Sequence, residues 1–300
     1  MKAVRFSAYG GPEVLHLDEV DEPHAGAGQI RIAVRAAGVN GIDWKIRSGR
    51  MTDAAAPAEP SGAGFDASGV VDEVGDGVTG VAIGDAVFGS GTATYAEFAV
   101  LSNWAPKPEA MSFEEAAGYP IAVETAQRIL DQVGVRPGET LLVSGATGGV
   151  GSAVVQFAKQ RDVTVIGTAS ARNQDYLRSL GAVATTYGEG LVDRVRALAP
   201  DGVDAALHIG GAGVLPELID LTGDPAKVLS IVDFSAPSLG AQVSSKTVNA
   251  AGAYAAAAQL YAIGEFHLPV DSSFPLAQAG AAQAASEAGH ATGRIVLTVP

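Results

Sequence analysis

The stretch Leu141–Gly151 reads LLVSGATGGVG and packs four glycines into seven residues, with the spacing Gly145-x-x-Gly148-x-x-Gly151. An apolar run precedes it, and SAVVQFAK, Ser152 to Lys159, follows at once with helical apolar spacing. A strand that enters a helix through glycines leaves amide N–H groups unpaired at the helix N-terminus. Those donors and the helix dipole favour an anion such as a pyrophosphate. Glycine also accepts positive φ and lets a ligand approach the backbone. The spacing differs from G-x-G-x-x-G and lacks the lysine of G-x-x-x-x-G-K-[ST]. Gly151, just inside the helix, permits close helix–strand packing. Tight strand-to-helix turns favour glycine for purely structural reasons too, so the elements around the turn decide between the readings.

The next strand runs into VIGTASARNQ, Val165 to Gln174. An NAD-preferring protein places an acidic residue here for the ribose 2′-hydroxyl. Thr168, Ala169, Ser170 and Ala171 offer none, whereas Ser170 and Arg172 supply a hydroxyl and a guanidinium that suit a 2′-phosphate. The expected cofactor is therefore NADPH rather than NADH. Arg172 reads equally as a solvated residue at a helix start.

Other chemistries lack their residues. The chain has no cysteine, which removes disulfides, thiolate nucleophiles and Cys-ligated zinc. His16, His24, His208, His267 and His290 show no close spacing for a shared metal, and none is assigned. Ser144 precedes the glycine turn without the G-x-S-x-G of a nucleophile elbow, which argues against a hydrolase.

Repeated strand–helix units must position the turn. From Leu141 the pattern alternates: LLVSG, a helix, VTVIGT (163–168), a helix near 173–180, a strand at 184–187 and a helix at 191–198. A strand at 203–209, a helix at 214–221 and a strand at 227–232 follow, which together predict a parallel, doubly wound α/β sheet. The first 122 residues read instead as β-rich. In QIRIAVRAA (29–37), Ile30, Ile32 and Val34 alternate with Arg31, Ala33 and Arg35, the period of a half-buried strand. Further strands are expected at 69–74, 86–89 and 95–100, and TDAAAPAEP (52–60) reads as a surface loop. The Ala-rich segments 248–264 and 274–289 are expected to be helical, and RIVLTV (294–299) a closing strand.

With 300 residues, two domains are the prior, and 47% hydrophobic against 17% charged residues affords a large core. A net charge of −14 disfavours nucleic acid and anionic membrane surfaces as partners. MKAVRFSAYGG lacks a signal-peptide core and no long unbroken apolar stretch occurs, so the expectation is a cytoplasmic protein with no membrane contact.

Several motifs, in order, resemble one family. GETLLVSGATGGVGSAVVQFAK (138–159) is similar to the signature of the quinone oxidoreductases, the zeta-crystallin-like, zinc-free branch of the medium-chain dehydrogenases/reductases. MKAVRFSAYGGPEVL, AAGVNGIDWKIRSG (36–49), GFDASGVVDEVGDGV (64–78), GDAVFG (84–89), TYAEFAV (94–100), SFEEAAGYPIAVETA (112–126) and GHATGRIVLTV (289–299) extend the likeness over nearly the whole chain. The resemblance implies a GroES-like β-rich catalytic domain at 1–122 and 266–300, a Rossmann NADPH-binding domain at 123–265, and an active site in the cleft between them. It implies a homodimer, although AQVSSKTV (241–248) is polar where the family has an apolar edge strand.

The resemblance also carries residues over. Asn40 and Thr125 fall on the nicotinamide side; Ala146, Thr147, Gly148, Gly149 and Val150 form the pyrophosphate turn; Ser170, Arg172 and Tyr187 take the 2′-phosphate. Ile209 and Gly210 follow His208, where the family has an Asp, and line the nicotinamide side. His290 stands opposite an arginine that the family often uses. Zinc-dependent relatives carry a cysteine near residue 40 and Gly-His-Glu near residue 65, whereas this chain has Asn40 and Gly64-Phe65-Asp66.

Without zinc, the implied reaction is hydride transfer from NADPH to a small-molecule quinone or enone, with hydrogen-bond donors for the developing oxyanion. Asn40 and Lys45 are the candidate catalytic donors, although no catalytic residue is assigned. Trp44, Lys45, Met51 and Tyr119 are, with Asn40, the expected substrate pocket; core packing is the competing reading for Tyr119 and the favoured one for Trp44. Two alternatives remain: an enoyl reductase tailoring a polyketide, and an NADPH-binding structural or RNA-binding protein without turnover.

Overall fold

The computed structural model describes residues 1–244, 249–289 and 291–300. The described chain divides into two compact units, Met1–Ile121 with Asn249–Pro300, and Ala122–Val248. The chain thus returns to the first unit at Asn249, earlier than residue 266. The Ala-rich helix Ala250–Ala262 explains this, because the Tyr254 hydroxyl donates to Ser90 Oγ of the first unit at 2.8 Å.

The first unit is built on a six-stranded sheet in the order Val270–Pro275, Arg294–Thr298, Ile30–Val39, Asp66–Val74, Ala86–Gly91, Phe98–Pro106. The last strand also pairs with Ile30–Val39, which closes four strands on themselves. Register shifts at Arg31/Ile32 and Val34/Ala36 give the long strand the bend that closure needs. Ile30, Ile32 and Val34 point into the core with Val71, Val87 and Leu101. Arg31, on the other face, makes a bidentate pair with Asp72 at 3.0 and 2.9 Å.

Two elements differ from the sequence expectation. Residues 274–289 are not one helix: Val270–Pro275 is a strand parallel to Arg294–Thr298, and the helix is confined to Ala279–Ala288. Alternating exposure in VDSSFP and the proline that ends it favour the strand. The helix Gly41–Arg47, hidden inside AAGVNGIDWKIRSG, starts at Asn40, whose backbone N–H donates to Asp43 Oδ2 at 2.7 Å.

The second unit holds six parallel strands in the order Val183–Thr186, Thr164–Ala169, Thr140–Ser144, Ala205–His208, Val228–Ser230, Gln242–Val243. The direction of travel reverses between Thr140–Ser144 and Ala205–His208, which makes the ends of these strands a topological switch point of a Rossmann-like sheet. Leu141, Leu142, Val143, Ala206 and Leu207 are wholly buried, as strands covered on both faces must be. The edge expected to be polar is the two-residue strand Gln242–Val243; Ser245–Val248 of that segment, and His290, lie outside the described residues.

Candidate functional site

In the second unit the glycine turn lies at the switch point. Gly145 has φ +86°, and a Cβ there would lie 2.7 Å from Gly210 N, so the turn and the 209–211 loop touch through bare backbone. A Cβ on Gly151 would lie 2.2 Å from Gly145 O, the close helix–strand approach expected of it. Gly148 is the N-cap of helix Gly149–Lys159 and has φ −76° and nothing within 4 Å of an added Cβ. No side chain caps this helix, so the first-turn donors of Gly149 and Val150 lack that partner behind an open approach. Ala146 and Thr147 are buried behind the turn, which Thr168 ties down: its Oγ1 accepts from Gly145 N at 3.2 Å and its carbonyl from Ala146 N at 3.1 Å.

Ser170, at the end of strand Thr164–Ala169, has a buried Oγ without a hydrogen-bond partner. Arg172 lies exposed on the single turn Ala171–Asn173, and Tyr187 is 61% exposed after strand Val183–Thr186. Two residues that the motifs do not single out hold these strand ends. Gln174 Nε2 donates to Ala169 O at 3.0 Å and Thr185 O at 2.9 Å, and the Arg194 guanidinium to Thr186 O at 3.0 Å and Glu189 O at 2.7 Å. An uncapped helix start, an open glycine and an orphaned hydroxyl are features that a phosphorylated dinucleotide fits.

Opposite the turn, Ile209 N and Gly210 N both donate to Ser144 O at 3.0 Å, and Ser144 Oγ donates to Gly210 O at 2.6 Å. Thr125, buried on helix Pro120–Val133, lies with its Oγ1 3.3 Å from both Glu124 Oε2 and Arg128 Nη2; Arg128 also bonds Ser244 Oγ.

In the first unit Asn40 is 2% exposed and sits in a buried polar cluster. Its Nδ2 donates to Asp66 Oδ2 at 2.9 Å, and Arg294 donates to its Oδ1. Asp66 also accepts from Ile121 N at 3.1 Å, and Arg294 Nη2 lies 3.8 Å from Asp66 Oδ2. Tyr95 donates to Asp43 Oδ2 at 2.7 Å. Burial pushes the Asp66 carboxyl up to about 7, against the pull of Arg294, Asn40 and the Ile121 amide. Burial likewise raises Asp43 to about 6, against the Asn40 amide, the Tyr95 hydroxyl and Arg294. The sequence features that could have pointed to this cluster are a lone carboxylate within GFDASG and an arginine opening RIVLTV.

Trp44 and Lys45 are half-buried on helix Gly41–Arg47, and Met51 follows it at 43% exposure. Tyr119, by contrast, is fully buried, with ring centroids of Phe266, Phe88 and Tyr261 at 5.7, 6.0 and 6.3 Å, and its hydroxyl accepts from Leu268 N at 3.3 Å. Its ring is core rather than pocket lining, because close aromatic packing surrounds it.

Residues 26–107 match the alcohol dehydrogenase GroES-like domain, and residues 180–297 the zinc-binding dehydrogenase family. The quinone oxidoreductase of Coxiella burnetii superposes with a TM-score of 0.86 at 30% identity, covering 100% of this chain and 99% of that one. The chain belongs to the quinone oxidoreductase family of the medium-chain dehydrogenases/reductases.

Rat quinone oxidoreductase is 36% identical over 219 residues, 70% of this chain and 66% of that protein; other curated relatives are matched over about half their length. The Escherichia coli quinone oxidoreductase, solved in complex with NADPH, gives a TM-score of 0.87 at 25% identity over the whole of both chains. The chain carries a guanidinium, Arg294, beside Asn40 and Asp66. Among the described residues no group of three or more His, Cys, Asp or Glu side chains could hold a metal ion. No described helix is long and apolar enough to cross a membrane.

Proposed function

We propose that this chain is an NADPH-dependent reductase that acts on a quinone or an α,β-unsaturated carbonyl without zinc. The observation that carries the reading is the glycine turn at the switch point, where an uncapped helix start and open Gly148 stand beside the strand end bearing Ser170. The first-turn amides and Gly148 would hold the diphosphate, and Ser170, Arg172 and Tyr187 the 2′-phosphate. Thr125, Ile209 and Gly210 would face the nicotinamide. The family likeness and the NADPH complex of the E. coli relative support the choice of cofactor.

Bound there, NADPH supplies the hydride. The protein's own work is to orient the acceptor, exclude water and stabilise the negative charge that develops on the acceptor oxygen. Asn40 has one Nδ2 hydrogen committed to Asp66, which leaves its second for a ligand. The Lys45 ammonium, its pKa lowered by burial and by Arg50, is a ready donor to an oxyanion. A hydride and a proton together turn a quinone into a hydroquinone, or saturate the enone C=C bond. A zinc ion would have to compete with a cation already in place, because Arg294 supplies the positive charge beside Asp66. We further propose a cytoplasmic homodimer joined along the Gln242–Val243 edge, on the family likeness and the open edge of that strand.

The test is the loss of NADPH absorbance on adding a panel of quinones and enones. Turnover with at least one acceptor, faster with NADPH than with NADH, is expected. NADPH binding without turnover by any acceptor overturns the enzyme reading.

A further inference from the structure

Helix Gly41–Arg47 ends in a turn that carries the chain back on itself. Gly49 has φ +78°, and Arg50 N donates to Lys45 O at 3.0 Å. The Arg50 guanidinium consequently lies 5.1 Å from the Trp44 ring centroid, and the Lys45 ammonium 5.7 Å from it. Both distances are within cation–π reach of one indole. Two like charges thus share one aromatic ring, and burial together with the Arg50 charge lowers the Lys45 pKa. Among the described residues neither cation has a carboxylate within ion-pair distance, and neither side chain makes a hydrogen bond. Arg47 of the same helix, by contrast, is paired with Glu287 at 2.8 Å.

This arrangement runs against the charge balance of the chain, which has 33 acidic residues and 19 Lys and Arg. Self-neutralisation would put an acid beside such a pair. The indole holds the two cations in place, and their N–H donors remain unspent.

We propose that Trp44, Lys45 and Arg50 form an anion-accepting aromatic platform, and that the preferred acceptor is a planar aromatic quinone or enone bearing its own negative charge. A carboxylate, a sulfonate or an ionised ring hydroxyl meets the requirement. The anionic group pairs with Lys45 and Arg50, and the planar ring stacks beside the indole. This inference rests on the reading that Trp44 and Lys45 lie on the substrate side.

The test compares matched probes on the full chain. Calorimetric titration sets 2-naphthalenesulfonate against 2-naphthol, and turnover sets 1,2-naphthoquinone-4-sulfonate against 1,2-naphthoquinone. Binding about tenfold tighter for the sulfonate is expected, as is a preference that weakens with added salt. Arg50 is exposed, so Arg50→Gln should fold normally. It should reduce the sulfonate-over-neutral ratio about tenfold in both assays, and Arg50→Lys should restore most of it. Equal binding of the two probes, or an Arg50→Gln effect that is the same on both, overturns the inference. In the parent chain, quinone turnover with no preference for the sulfonate overturns this inference alone. A preserved preference with neither quinone reduced overturns the reductase reading and supports the platform.

Discussion

Asn40 Nδ2 donates to Asp66 Oδ2 at 2.9 Å, and this bond sets which way the Asn40 amide faces. Arg294 on Asn40 Oδ1 fixes the same orientation from the other side. The arrangement buries two carboxyls, Asp66 and Asp43, around one guanidinium. Burial holds Asp66 at about 7 and Asp43 at about 6, above the ~3.9 of an unfolded aspartate. The folded chain therefore binds more protons than the unfolded chain between about pH 4 and 7, and this part of the stability is lost as pH rises through that window. We predict that Asp66→Asn flattens the dependence of Tm on pH between about 4 and 7 relative to the parent chain. Parallel Tm curves for the two proteins would place the titrating group elsewhere.

The glycine turn separates stability from binding. Gly151→Ala puts a methyl 2.2 Å from Gly145 O, so the helix must move off the strand. A loss of about 1–3 kcal/mol by urea unfolding is expected, together with weaker NADPH binding. Gly148→Ala places its methyl in open space at an ordinary φ of −76°. Its cost to stability should stay within about 1 kcal/mol, while NADPH affinity falls about tenfold because the methyl occupies the approach to the amides. Unchanged NADPH affinity in Gly148→Ala would remove the turn from the binding site.

Periodicity and turn chemistry made the second unit legible almost strand by strand. The alternation of apolar runs and helical stretches from Leu141 to Val232 is local information, and the helix Leu191–Leu198 falls where its pattern places it. The first unit was less legible because its structure depends on distant pairing. Whether VDSSFP is a strand is decided by Arg294–Thr298, and the short helix Gly41–Arg47 by its cap at Asn40. The polar cluster was hidden for the same reason: Asn40, Asp66 and Arg294 are far apart in sequence and meet only when three strands pair. Trp44 and Lys45 stood out by type, but Arg50 drew no notice, since only the turn at Gly49 brings it over the indole.

The 2′-phosphate assignment predicts an asymmetric loss. Arg172→Ala and Ser170→Ala should each weaken NADPH binding by roughly 1.5–3 kcal/mol, about 10- to 150-fold, and NADH binding far less. Ser170→Ala is the cleaner probe, because the Ser170 Oγ is buried with no partner and its removal costs the folded chain no protein hydrogen bond. Binding titrations with the two dinucleotides measure the ratio directly. Equal losses for both would show that these side chains do not meet the 2′ position.

His208 completes the switch point through a chain of roles that can each be used only once. The Gly211 carbonyl, 2.7 Å from His208 Nε2, can only accept, so Nε2 carries the proton. His208 Nδ1 is then the acceptor, and the Ser230 hydroxyl donates to it at 3.1 Å. Ser230 Oγ in turn accepts from Val232 N at 3.2 Å and Asp233 N at 2.9 Å. Ser230→Ala strands the imidazole nitrogen and both amides, and should cost about 1–3 kcal/mol in urea unfolding. His208→Phe frees the Gly211 carbonyl and leaves Ser230 its two amides. If the two residues act as one buckle between strands Ala205–His208 and Val228–Ser230, the double variant loses less than the sum of the single losses, by about 1 kcal/mol. NADPH affinity should fall in the same order, since the 209–211 loop is what the buckle holds. Strict additivity of the two losses would show that the strand ends are positioned independently of this pair.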